Sequence, residues 1–142
     1  MNDPVAMQEN AYHELCYYTL AHGGGTFIHQ HVVDAFAAQD ATEQDKPIRL
    51  TFALVGLYLH VERGFSGRQV QLAHMVLARR RRAWPVFPLP SDRGRITAAD
   101  VLAEPAGPGR DEMIHRWCAC VWGEYRESRQ AVEDLLKEYK LI

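Results

Sequence analysis

His13, Cys16 and His29 are the residues whose types best fit a metal site. In "YHELC", His13 and Cys16 are three apart, so a helix would place both on one face. Imidazole nitrogen and thiolate sulfur are ligands that zinc prefers, and a structural zinc site takes four of them. A further ligand would have to come from another helix, and we take His29 of "FIHQH" for that role. The residues therefore predict a metal site with zinc as the candidate cofactor; the alternative is that His13 and Cys16 are half-buried residues that pack the first helix.

The stretch "LAHGGGTFIHQH" also carries two patterns that resemble other chemistry. "HGGG" occurs in the oxyanion-hole loop of some esterases, but the chain contains no G-x-S-x-G nucleophile elbow, so we interpret Gly23 to Gly25 as a helix stop. In "HQH" the two histidines would point about 200° apart on a helix, so one metal ion cannot take both. The pattern predicts that His29 faces inward with Phe36 and that His31 faces solvent.

"ARRRR", Arg79 to Arg82, followed by Trp84 would suit phosphate binding and base stacking. Sixteen basic residues against eighteen acidic ones give a formal charge of −2, and no recognised nucleic-acid motif is present. We interpret the arginines as a solvated helix end or a protein contact, which argues against a nucleic-acid partner.

The elements that must position these residues are helices. Apolar residues recur every three or four positions, and no segment alternates as a strand would. Prolines and small polar residues mark helix starts, and glycines mark stops. We predict an all-α fold, a single domain over residues 1–142, as a bundle of five or six helices. The predicted helices run over residues 4–22, 26–39, 47–63, 66–82 and a short turn capped by Thr97, followed by a long C-terminal helix of nearly thirty residues.

The composition fits a cytoplasmic globular protein. Hydrophobic residues make up 47% and charged residues 24%, which suffices for one sizeable core. The longest apolar run, at 50–61, is too short to cross a bilayer, so we expect no membrane partner, and the first residues do not resemble a secretory signal. Three cysteines do not form a disulfide framework, which favours a reducing compartment.

The chain resembles a family of small bacterial proteins known only as a domain of unknown function. The resemblance lies in "YHELCYYTLAHG", "FIHQHVVDAFAAQ", "LVGLYLHVERGFSGRQVQ", "AWPVF", "RGRITAADVL" and "WCACVW", and it spans about residues 11–136. It implies no activity. Some divergent relatives carry an extra N-terminal Cys-x-x-Cys before a histidine and a cysteine, to which His13 and Cys16 correspond. This chain has no cysteine before Cys16, so the complete zinc ribbon of those relatives is absent from it.

We therefore hypothesise a small helical binding or regulatory module whose pocket lies where helices one and two meet helix three, around His13, Cys16, His29 and Glu62. One alternative is a metal-independent enzyme that uses His29 as general base, which would need a partner such as a carboxylate to fix its tautomer. The other is a purely protein-interacting bundle whose last helix and "ARRRR" form contacts, including those of a homo-oligomer.

Overall fold

The computed structural model describes residues 3–22 and 24–142 and is all-helical there, as the sequence predicts. Seven α-helices and one 3₁₀ turn follow one another without a strand in the described residues. Their bounds are α1 Pro4–Ala21, α2 His29–Gln39, α3 Pro47–Arg63, α4 Gly67–Arg80, α5 Ala98–Ala103, α6 Pro108–Glu124 and α7 Arg129–Glu138.

The predicted helix ends at Gly64, Ser66 and Thr97 are confirmed. A cap that was not predicted lies at the start of α1, where Asp3 accepts a hydrogen bond from the backbone N–H of Val5. Ser66 and Thr97 each form a capping box at the starts of α4 and α5. Gly64 ends α3 in the left-handed conformation with φ of 70°.

The connection between α1 and α2 differs from the prediction. The helix predicted over residues 26–39 begins at His29, and the Thr26 carbonyl accepts a hydrogen bond from Arg68 N–H at the start of α4. Gly23 lies outside the described residues, and neither Gly24 nor Gly25 has a left-handed conformation. The left-handed residue is Phe27, with φ of 54°. The loop is thus joined to α4 by a hydrogen bond that the sequence did not predict.

The prediction of one long C-terminal helix is wrong, and this raises the number of helices from five or six to seven. α6 ends at Glu124, and a 3₁₀ turn over Arg126–Ser128 leads into the shorter α7. Tyr125 is buried at the break, and its hydroxyl donates to the carbonyl of Ala38 at 2.6 Å. Because Tyr125 is bound to the end of α2, the chain changes direction there, and α7 packs against α3.

One hydrophobic core takes residues from all seven helices. α2 and α3 lie at its centre: α2 packs against α1, α3, α4 and α6. Because other helices cover α2 on several sides, its polar residues do not lie on a solvent-exposed face. His31, predicted to face solvent, is only 3% exposed, whereas His29 is half-buried. No helix in the described ranges is long and apolar enough to cross a membrane.

Candidate functional site

The three predicted metal ligands lie in different surroundings. His13 is exposed and lines a surface groove with Arg110, whereas Cys16 is half-buried beside Tyr12. His29 Nδ1 lies 2.9 Å from Thr19 Oγ1. Within residues 3–22 and 24–142, no group of three or more His, Cys, Asp or Glu side chains is arranged to hold a metal ion. The metal site at His13, Cys16 and His29 stays a prediction that metal analysis must test.

The hydrogen-bond partner of His29 is the hydroxyl group of Thr19, whereas a general base of the kind we hypothesised would have a carboxylate partner. Thr19 Oγ1 also lies 2.9 Å from the carbonyl of Leu15, to which its single proton can be donated. His29 Nδ1–H is then the donor to Thr19, which fixes the tautomer. Burial lowers the pKa of His29, so the ring is neutral at neutral pH.

Glu62, the fourth residue of the hypothesised pocket, lies at another junction of the bundle. Its carboxylate accepts hydrogen bonds from Trp122 Nε1 at 2.7 Å and from Arg129 Nε at 2.8 Å. The Arg129 guanidinium holds the pKa of Glu62 below its usual range. Glu62 therefore joins α3 to α6 and α7 and takes no part in a pocket with α1 and α2.

The pocket at the meeting of α1, α2 and α3 is built around Asp34 of α2. This side chain is buried, with 3% exposure. Its Oδ1 accepts a hydrogen bond from Gln30 Nε2 at 3.0 Å, one helical turn earlier. Its Oδ2 is the one buried side-chain oxygen or nitrogen of the described residues without a hydrogen-bond partner. Buried polar groups are nearly always paired, so this carboxyl oxygen is unusual in the core.

Burial raises the pKa of Asp34 well above its usual value, and the hydrogen bond from Gln30 opposes that rise only in part. No cation of the chain pairs with this carboxyl among the described ion pairs. The free protein therefore holds Asp34 as a neutral acid well above the pH at which an exposed aspartate ionises.

Gly56 makes room for the carboxyl in the middle of α3. A Cβ at this position would overlap Asp34 Oδ2 and would lie 2.6 Å from its Cγ. Glycine inside a helix costs roughly 1 kcal/mol relative to alanine. The helix accepts this residue because the Asp34 side chain occupies the space of the missing methyl group.

A cavity of about 330 Å³, the Asp34 cavity, opens beside this carboxyl. Most of its wall is apolar and comes from α2 and α3. The polar and aromatic groups that line it are Tyr12, Gln30, Asp34, Arg49, Phe52 and His74. Cavities of this size with few polar groups and shifted pKa values are the usual form of small-molecule sites.

The other titratable groups of the Asp34 cavity are neutral or already paired. His74 Nε2 donates to the carbonyl of Phe52 at 2.8 Å, and burial lowers its pKa to about 4. Burial and the neighbouring Cys16 thiol raise the pKa of Tyr12. Arg49 Nη1 binds Asp45 at 2.7 Å on the exposed side of the helix. Asp34 is thus the group whose charge a bound molecule could change.

Three histidines form a second polar cluster, between α2, α3 and α6. The His31 and His60 rings are stacked with centroids 3.6 Å apart, and His60 Nε2 lies 2.9 Å from His115 Nδ1. His60 Nδ1 lies 3.1 Å from the carbonyl of Phe65, so it carries the proton and Nε2 accepts from His115. Burial, with His60 and His115 beside it, lowers the pKa of His31 to about 3. Burial also lowers the pKa of His60, so His31 and His60 are neutral imidazoles at neutral pH.

The arginine run contacts the chain's own C-terminal segment. Arg81 Nη1 binds Glu138 at 3.0 Å, and the Arg80 guanidinium lies 5.2 Å from the Tyr139 ring centroid. Arg79 and Arg82 are exposed. Two of the four arginines therefore help to position the end of α7.

Residues 9–126 match the family described as "Family of unknown function (DUF5946)". The chain belongs to this family. A comparison with curated proteins and with solved structures found no match. Membership in DUF5946 confirms that the chain belongs to a family of unknown function and brings no activity with it, so the function must be argued from the site.

Two signals in this DUF5946 sequence could have pointed to the Asp34 cavity. Asp34 stands within "VVDAFAA", and Gln30 precedes it by one helical turn. Gly56 interrupts "FALVGLYL", the most apolar helix of the chain. A glycine inside such a helix indicates a close approach by another group, but the sequence does not show that this group is Asp34. The positions of Tyr12 and His74 follow only from the packing of α1 and α4.

Proposed function

We propose that the protein is a small-molecule-binding module whose ligand occupies the Asp34 cavity. One observation carries the proposal: a fully buried carboxyl with an unpaired oxygen lies in the wall of a mostly apolar cavity. Leaving a buried polar atom unpaired costs about 1–3 kcal/mol. That oxygen lies against Gly56, which does not line the cavity, so a ligand would recover this free energy only if the carboxyl turned toward the cavity on binding.

The walls of the cavity suit a ligand with an apolar body and one polar end. Phe52 and Tyr12 offer aromatic surface, and Gln30 holds the carboxyl in place through Oδ1. The volume of about 330 Å³ is at the lower end of the range for small-molecule pockets. A compact ligand with a single ring or a short chain fits this space.

The cavity also suits a regulatory role. Its lining residues come from α1, α2, α3 and α4, so one bound molecule would contact four helices. A ligand that binds only the folded chain stabilises it by mass action, by about 2.7 kcal/mol at a hundredfold excess over Kd. Occupancy would therefore tighten the contact between the N-terminal helices and the core.

The test is a thermal-shift screen of small amphipathic compounds with a variant that fills the cavity. Val33 is half-buried in the cavity wall, and Val33→Phe would place a ring in the ligand space. Val61→Phe is the matched control, because Val61 lies on the exposed side of α3. We expect compounds that raise the melting temperature of the wild type and of Val61→Phe by about 5–10 °C but leave Val33→Phe unchanged. A screen in which every hit acts equally on both variants would refute the proposal.

A further inference from the structure

We propose that His60 of α3 and His115 of α6 together bind one divalent transition-metal ion of the kind that takes ligands at right angles, Cu²⁺ or Ni²⁺. The two side chains belong to the three-histidine cluster, and neither of them lines the Asp34 cavity. The site is therefore independent of the proposed ligand-binding function, and it shares no residue with the metal site predicted from the sequence.

The distance between the two ring nitrogens fits a shared ion. His60 Nε2 lies 2.9 Å from His115 Nδ1. Bonds from zinc to imidazole are about 2.0–2.1 Å long; with bonds of this length, two nitrogens at a right angle on one ion lie about 2.8–3.0 Å apart, and two at the tetrahedral angle about 3.3–3.4 Å apart. The observed distance matches the right angle, which is the angle of square-planar and tetragonal Cu²⁺ and Ni²⁺ sites.

The contacts of His60 hold its ring as the ring of a metal ligand is held. Its Nδ1 lies 3.1 Å from the carbonyl of Phe65, to which it donates its proton, so Nε2 carries a lone pair. Histidines that bind a metal almost always donate their other ring N–H to a carbonyl, a carboxylate or water. The buried His31 ring is stacked on His60 with centroids 3.6 Å apart. The hydrogen bond fixes the tautomer of His60, and the stack fixes the plane of its ring.

His115 supplies the second nitrogen after a change of tautomer. In the free chain its Nδ1 donates to His60 Nε2; the bound ion takes the place of that proton, so Nδ1 gives up its proton, Nε2 takes one, and the ring stays neutral. His115 is half-buried, which gives the ion a way in from solvent. Within residues 3–22 and 24–142 no third His, Cys, Asp or Glu side chain completes a metal-binding group with the pair, so water fills the other positions.

The end of α3 also favours a positive charge at this place. His60 lies in the last turn of α3, which ends at Arg63. The free carbonyl groups at a helix C-terminus carry partial negative charge and attract cations. Arg63, in the same turn, donates its Nε–H to the hydroxyl of Tyr58 at 3.1 Å. The helix end therefore stabilises a cation that binds at His60.

The experiment is isothermal titration of the full, tag-free chain with Cu²⁺ supplied as its glycine complex, with Ni²⁺ and with Mg²⁺. We expect one Cu²⁺ or one Ni²⁺ per chain and no binding of Mg²⁺, which prefers oxygen ligands. His60→Gln and His115→Gln should each weaken binding about tenfold or more, since even the loss of a group that orients a ligand costs about 10–100-fold. His22→Gln is the matched control and should bind as the wild type does. His22 is exposed, and its Nδ1 lies 2.8 Å from the carbonyl of Tyr18, as His60 Nδ1 lies near that of Phe65, but the described hydrogen bonds join it to no second histidine.

A second measurement does not depend on the folding of a variant. The electron paramagnetic resonance spectrum of the wild type with one equivalent of Cu²⁺ should show the splitting of two coordinated nitrogens. A spectrum with one nitrogen or none would show that the two rings do not share the ion.

Three results of the titration would overturn the site. The first is a wild type that binds neither Cu²⁺ nor Ni²⁺, and the second is binding that both His60→Gln and His115→Gln leave unchanged. The third is binding that Cys16→Ser abolishes, because the ion would then lie at the site predicted from the sequence. Val33→Phe should bind both ions as the wild type does, so failure here is separate from failure of the Asp34 cavity as a ligand site.

Discussion

Replacing Gly56 by alanine tests the contact on which the candidate site is built. A Cβ at this position would overlap Asp34 Oδ2 and would also lie 3.1 Å from Val70 Cγ1. Both partners are buried, so the new methyl group has no free direction. The Asp34 carboxyl would have to leave its place and lose its hydrogen bond from Gln30.

The expected free-energy change has terms of opposite sign. Alanine is better than glycine inside a helix by about 1 kcal/mol. Overpacking a buried site costs about 1–3 kcal/mol, and losing the hydrogen bond from Gln30 to Asp34 costs about 1 kcal/mol more. We therefore expect Gly56→Ala to lower the free energy of unfolding by about 1–3 kcal/mol.

The same substitution should become favourable once Asp34 is shortened. In an Asp34→Ala background the carboxyl is gone, and the nearest remaining contact of a methyl group at 56 is Val70 Cγ1 at 3.1 Å, so we expect Gly56→Ala to stabilise by up to about 1 kcal/mol. The coupling free energy between positions 34 and 56 is then about 1–4 kcal/mol, beyond the few tenths expected of independent sites.

This double-mutant cycle is measured by urea unfolding, followed by circular dichroism, of the wild type, both single variants and the double variant. Gly123→Ala is the control, because Gly123 lies inside α6 and a Cβ there would meet nothing within 4 Å. It should stabilise the chain by up to about 1 kcal/mol in either background. If Gly56→Ala stabilised the wild type as Gly123→Ala does, or had the same effect with and without Asp34, the carboxyl would not occupy the space at Gly56.

Two further predictions concern acid stability and metal. His31 is buried with its pKa lowered to about 3, so its contribution to stability is complete above about pH 6.5 and is lost as the pH falls toward 3; at about pH 4.5 the loss is about 2–3 kcal/mol. Asp34 has the opposite effect on the pH dependence of stability because its pKa is raised, so the decisive comparison is with His31→Phe, which keeps a ring against His60. In urea unfolding, this variant should lose less stability than the wild type between pH 7.5 and about 4.5. Equal losses in the two proteins would refute the prediction. For the metal site predicted from the sequence, elemental analysis of tag-free protein should find one zinc per chain and none in Cys16→Ser, and a wild type without metal would contradict it.

The helix pattern of the chain was predictable because the ends are marked locally. Pro47 and Gly64 begin and end α3, and Ser66 with Gln69 begins α4, each by hydrogen bonds within a few residues. The break at Tyr125 was not predictable, since it depends on the hydrogen bond from Tyr125 to Ala38, which lies in another helix. Local signals thus predicted the elements, and a distant contact decided where one of them stops.

The Asp34 cavity is not the pocket that we predicted. It lies near the same helix junction, but none of the residues expected around that pocket, His13, Cys16, His29 and Glu62, lines it. We favoured histidine and cysteine as the functional types and assigned the polar side of α2 to solvent. That assignment fails because α2 is surrounded by helices, so His31 and Asp34 are buried.

Considered separately, Asp34 and Gly56 each lower the stability of the folded chain. A carboxyl in the core costs desolvation, and a glycine in a helix costs conformational entropy. Their contact accounts for the glycine, because Gly56 exists in α3 to admit the carboxyl. It does not account for Asp34, since an alanine at both positions would fill the space without an unpaired oxygen. Packing therefore does not explain the cost of the buried carboxyl, and the cavity that Asp34 lines is where we propose that a ligand binds.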